Sequence, residues 1–166
     1  ESIEQLRRML MTIDSIELHK DLSEPTAALT TSGSATGILI GGNQDMIATA
    51  AGWALPNLRG AIVLLEDVDK RLGLIDRQLT MLQNAGHLDG IIGIAVGRYY
   101  LCGSDATTQG EWTAIDVLRD RLARFKVPIL GGLRLGHGDG TLGVPFGTMA
   151  TINADTGTLR SAAAVS

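Results

Sequence analysis

The stretch Gly60-Ala61-Ile62-Val63-Leu64-Leu65-Glu66-Asp67 reads as an apolar strand over 60–65 that closes on a carboxylate. Upstream of it, Gly37-Ile38-Leu39-Ile40 reads as a second strand, Gly41-Gly42-Asn43 as a turn, and 44–53 as a buried helix rich in Ala, Met and Ile. Downstream, Leu72, Ile75, Leu79 and Leu82 share one helix face, and Gly86 is placed to stop that helix. A buried strand over 91–96 follows. Ile115, Leu118, Leu122 and Phe125 then mark an amphipathic helix over 111–126, and Pro128-Ile129-Leu130 opens another strand. Short β-like runs at 144–154 and 158–165 flank Asp155-Thr156-Gly157, a hairpin-type turn. Strands alternating with helices and closed by a hairpin predict an α/β fold, a mixed sheet with flanking helices.

At the amino end, Ser2 with Gln5 reads as a capping box, and Ile3, Leu6, Leu10 and Ile13 form a helical apolar stripe. A short strand is expected at Ile16–His19, and 21–37, rich in Ser, Thr, Gly and Pro, reads as loop or edge strand. No repeat or linker interrupts the 166 residues, so a single domain is expected, long enough to bury about 70% of its unfolded surface.

A formal charge of −4 without a Lys/Arg cluster argues against nucleic acid or an anionic membrane as partner and favours a small molecule or peptide. The apolar runs fall far short of the roughly 20 residues that a membrane helix needs. Cys102 is the only cysteine, which rules out an intrachain disulfide and suits a reducing, cytoplasmic compartment. No cofactor is expected, and the loop around His137 and Asp139 lacks the ligand count of a zinc site. Because the chain opens on Glu1, without an initiator Met or a signal-peptide pattern, it reads as a fragment or processed piece.

His137, bracketed by Gly136 and Gly138, is the residue best suited to proton transfer near neutral pH, provided that a carboxylate fixes its tautomer. Glu66 fits that second role. Asp67 competes, but successive strand residues face opposite ways, so only one of the two carboxylates should reach the histidine, and Glu66 is preferred. Asn43 has two readings, a side-chain amide in the site or the N-cap of the next helix. Ser104, in Gly103-Ser104-Asp105, is better read as a turn serine than as a nucleophile. His19 and His87 are expected at the surface, and Trp53 and Trp112 in the core on helices.

Taken in order, Gly41-Gly42-Asn43, Leu55-Pro56, the run Gly60 to Asp67, Ile75-Asp76-Arg77-Gln78-Leu79, Gly97-Arg98 and Gly136-His137-Gly138 resemble the C-terminal domain of the LD-carboxypeptidases. These serine peptidases are also called muramoyltetrapeptide carboxypeptidases, and the likeness runs over roughly 35–155. It implies the swivelling β/β/α-type architecture of that domain and a cytoplasmic enzyme of peptidoglycan recycling. The reaction it implies is removal of the terminal D-alanine from a murein tetrapeptide, at the bond to the L-centre of a diamino acid.

Carried over by motif, Glu66 and His137 become the glutamate and histidine of a Ser-His-Glu triad. The family's serine lies in an N-terminal domain, within a Gly-aromatic-Ser-Asp motif that this chain does not contain. The resemblance thus implies a half-enzyme that is inactive alone, whose partners are murein peptide, that missing domain and a second copy in a homodimer. Asp69-Lys70-Arg71-Leu72-Gly73 departs from the acidic and Pro-Tyr pattern common after the glutamate, which bears on substrate choice. Two alternatives stand beside this reading. One is a microcin-immunity type peptidase acting on peptidyl-adenylates, which should need an aromatic ring near Glu66 that so few aromatic residues are not expected to supply. The other is a non-catalytic binding or dimerisation domain.

Overall fold

The computed structural model describes residues 2–103 and 112–165, and the apolar run lies at its centre as strand β3, Ala61–Val68. β3 runs parallel to β2 (Ser34–Asn43) on one side and to β4 (Gly93–Tyr100) on the other, and β5 (Ile129–Leu130) adds a parallel partner to β4. Beyond β2 the sheet turns antiparallel through β6 (Met149–Asn153), β7 (Thr158–Ser161) and β1 (Ile16–His19). Among the described residues the seven strands lie in the order β1-β7-β6-β2-β3-β4-β5, and the α-helices are α1 (Ser2–Met11), α2 (Gln44–Ala50), α3 (Leu72–Asn84) and α4 (Ala114–Leu122). This is the predicted α/β fold with a mixed sheet.

A strand covered on both faces needs apolar side chains at every position, and the period-two alternation of β3 sorts them. Val63 and Leu65 join Ile75, Leu79, Leu82, Leu118 and Leu122 of α3 and α4 in one core. Ile62 and Leu64 point the other way, into a second core with Leu18, Ile152 and Leu159 of the antiparallel strands and Leu133 and Leu135 of the segment after β5. Each such Leu or Ile, fully buried, contributes about 1.5–3 kcal/mol relative to leaving it in water.

Several local expectations need correction. Gly41 and Gly42 do not turn the chain; β2 continues through them to Asn43. Gly41 has φ of 134°, and a Cβ there would lie 2.1 Å from the carbonyl oxygen of Leu64, so glycine is what allows β2 and β3 to stay paired as far as Asn43 and Glu66. Residues 34–37 belong to this interior strand and not to a loop or sheet edge. β3 and β4 run on past the expected 60–65 and 91–96, so Glu66 and Asp67 lie inside β3.

α2 ends at Ala50, which leaves Trp53 79% exposed, and Trp112 precedes α4 and is 61% exposed; neither is a core residue on a helix. α4 starts at Ala114 because Thr113 and Asp116 form a capping box, and a short 3-10 turn carries the chain on to Phe125. α1 is helical as its stripe predicts, yet the stripe faces outward, with Ile3 and Leu10 exposed, and Ile13 lies past the helix end and is exposed as well. The helix docks through Met9, which is buried, and through Gln5, whose amide exchanges two hydrogen bonds with the backbone of Gly143.

Candidate active site

The parallel strands bring their carboxyl ends to one edge of the sheet, where crevices form in open α/β folds, and the register sets Asn43 of β2 opposite Glu66 of β3. Glu66 extends the row of Ile62 and Leu64 and is only 6% exposed. The loop after β5 brings His137 onto it, with Nδ1 2.8 Å from Glu66 Oε2, although the two residues are 71 positions apart in sequence. Gly136 makes room for this contact. Its φ is 102°, and a Cβ there would sit 2.3 Å from Glu66 Oε2. An ionised carboxylate only accepts hydrogen bonds, so with a neutral ring this contact calls for the proton on Nδ1 and leaves Nε2 as the acceptor. The imidazole is 47% exposed, and so the pair has a buried carboxylate behind a histidine that reaches outward.

Asp67 takes no part in that pair. It faces the helical side, fully buried, and its Oδ1 accepts hydrogen bonds from Asn43 Nδ2 at 3.0 Å and from the backbone N–H of Val68 at 2.9 Å. Burial pushes its carboxyl above the ordinary range, against the opposing effect of these two hydrogen bonds. Asn43 caps α2, its Oδ1 accepting from the N–H of Met46 at 3.2 Å, so both ends of its amide are held. It also lines a cavity of about 260 Å³ with Gly42, Glu66, Gly136 and Phe146. The two readings of Asn43 are thus compatible in space.

Phe146 corrects the expectation that no aromatic ring stands near Glu66: it comes from the segment before β6, where no periodic pattern marks it. His19 is at the surface as expected, whereas His87 is half-buried, accepts from the N–H of Gly52 through Nε2, and places Nδ1 3.3 Å from the carbonyl of Pro56. Ser104 lies outside the described residues. Among the described residues no group of three or more His, Cys, Asp or Glu is placed to hold a metal ion.

Behind Asn43 lies a polar chain that the sequence reading missed. The Tyr99 hydroxyl donates to Gln44 Oε1 at 2.6 Å, Gln44 Nε2 donates to Gln78 Oε1 at 3.0 Å, and Gln78 Nε2 donates to Asp45. Lys70 completes it, with Nζ 2.8 Å from Asp45 Oδ2. The Lys70 hydrogen bond holds the Asp45 carboxyl below its ordinary value, Asp45 in turn raises the Lys70 ammonium, and burial pushes the Tyr99 phenol well up. The signal available in sequence was a polar residue inside each apolar helical pattern, Gln44 beside Ile47 and Ala48, and Gln78 between Ile75 and Leu82.

Residues 36–152 match the family described as the LD-carboxypeptidase C-terminal domain. A putative carboxypeptidase of Streptomyces coelicolor is 38% identical over 129 residues, which is 76% of this chain and 40% of that protein. A probable murein peptide carboxypeptidase of Bacillus subtilis is 30% identical over 122 residues, 73% of this chain and 38% of that protein. Among solved structures, muramoyltetrapeptide carboxypeptidase from Oxalobacter formigenes superposes with a TM-score of 0.79 at 21% identity, covering 96% of this chain and 54% of its own, which shows a shared fold. The matched segments thus span about two-fifths of the length of those two relatives.

Proposed function

From the premise that this chain belongs to the LD-carboxypeptidase family, through that family's C-terminal domain, we propose that it carries two members of a serine-peptidase triad. Glu66 is the orienting carboxylate and His137 the general base and acid. The nucleophilic serine comes from an N-terminal domain of the same protein. The observation that supports this most directly is the 2.8 Å contact between a buried Glu66 and a half-exposed His137.

The proposed reaction is hydrolysis of the bond between an L-diamino acid and D-alanine in a murein tetrapeptide. His137 Nε2 takes the proton of the serine hydroxyl as its oxygen attacks the carbonyl carbon, and Glu66 stabilises the imidazolium that forms. The same proton then goes to the departing amine of D-alanine, and a water, deprotonated by His137, releases the acyl group from the serine, whose oxygen receives that proton from His137. Asn43, held at the rim of the Glu66 cavity, is the candidate substrate contact. In this reading the full-length protein works in the cytoplasm as a homodimer in peptidoglycan recycling.

The test is D-alanine release by the full-length protein. His137→Ala and Glu66→Ala should each lower kcat by about a thousandfold or more. The 166-residue chain by itself should release none. Turnover near wild type in His137→Ala would instead favour a non-catalytic domain. Phe146 supports a second reading, since its half-exposed ring on the Glu66 cavity is the kind of surface that a peptidyl-adenylate would need. Rates on the two substrate types, measured side by side, separate these two enzymes.

A further inference from the structure

The loop that carries His137 has glycine at 136, 138 and 140, all at positive φ, and little side chain of its own to fix it. A backbone bond from Leu142 N–H to the carbonyl of Arg134, 2.8 Å, closes its base, and Arg98 anchors the part that carries His137. The backbone N–H of Arg98 donates to the carbonyl of Leu135 at 2.9 Å, just before the loop. The guanidinium reaches under the loop, where Nη1 donates to the carbonyl of Asp139 and lies 3.5 Å from Thr141 Oγ1, and that hydroxyl donates to the carbonyl of Gly138 at 2.7 Å. These bonds bracket His137 on both sides.

Arg98 is itself fixed from a third segment. Nε and Nη2 both donate to Oε1 of Glu24, the former at 2.8 Å, and each side chain is only 14% exposed. Glu24 is 74 residues from Arg98 in sequence and stands just before Pro25. A rigid guanidinium with its donors divided between a carboxylate, one loop carbonyl and a loop hydroxyl sets direction as well as distance. We propose that Glu24 and Arg98 form a clamp that positions His137 against Glu66, and that both are positioning residues for the reaction. The contact of His137 with Glu66 depends on this clamp, because nothing in the loop's glycines favours that geometry over others.

The clamp can be tested on the 166-residue chain itself by imidazole ¹⁵N shifts, which report the ring tautomer. The wild type should show His137 protonated at Nδ1, and Glu66→Ala supplies the unpaired reference. Arg98→Met should move the His137 shifts to that reference. Because Arg98→Met strands a buried carboxylate, the decisive variant is Glu24→Gln with Arg98→Met, which removes both charges. It should recover the melting temperature lost in the single variant yet keep the shifts of the reference, and Arg98→Lys should fall between. A folded double variant with wild-type shifts would overturn the clamp, as would a wild type already at the reference. The kinetic arm rests on the proposed function: in the full-length protein the double variant should lower kcat about 100-fold with KM within about twofold. If His137→Ala leaves turnover unchanged, that function fails while the shifts still decide the clamp.

Discussion

Replacing Gly136 by alanine forces a choice between two contacts, since the new Cβ would overlap the Glu66 oxygen that holds His137. The positive φ adds backbone strain of about 1–3 kcal/mol. Gly136→Ala should therefore lower the urea midpoint and also shift His137 away from its Nδ1-protonated form, whereas a variant that only lost stability would keep the tautomer. Asp45 and Lys70 make a prediction about pH. The Asp45 carboxyl is held below its ordinary 3.8, so its contribution is full above that value and is lost as pH falls through the folded value. The Lys70 ammonium is raised above its ordinary 10.5, so its contribution is full below that value and is lost as pH rises through the folded one. Between about pH 5 and 9 the stability gap between wild type and Asp45→Asn should be constant, and it should narrow on either side. Parallel stability curves down to about pH 2 would refute the assignment. Asp67 has the opposite sign: its raised carboxyl favours the fold at low pH, and that advantage is lost as pH rises through its folded value.

The helices differ in what their apolar stripes accomplish. On α4, Leu118 is fully buried against α3 and the sheet, so Leu118→Ala should cost about 2–5 kcal/mol in denaturant unfolding. On α1, Ile3 is 84% exposed, and Ile3→Ser should change stability by less than about 0.5 kcal/mol. The two stripes have the same helical spacing, which is why periodicity predicted both helices and could not say which one is buried. Ends were harder to read than interiors for a related reason. Trp53 extends the apolar content of α2, but Ala50 is where the helix stops, and β2 passes through two glycines that look like a turn because the close approach to Leu64 demands them. A glycine's sequence signature is the same whether it permits a turn or a tight strand contact.

Across the whole molecule, β3 belongs to both cores, and this should appear in hydrogen exchange. Amides of 62–65 should be the last to exchange, at the free energy of global unfolding, while those of α1 exchange earlier. Protection of 62–65 no greater than that of α1 would show that the two cores open separately. The sequence by itself determined the α/β alternation and the mixed sheet and pointed to Glu66 and His137 as a candidate pair, because continuous apolar runs, helical spacing and local motifs are properties of neighbouring residues. Only the tertiary structure decided that Glu66 and not Asp67 meets the histidine at 2.8 Å, that Phe146 shares the Glu66 cavity, and that Glu24 reaches Arg98. Those contacts join segments that are remote in sequence. Such pairings depend on how strands register and how loops cross the sheet edge, and no local pattern of side chains encodes that.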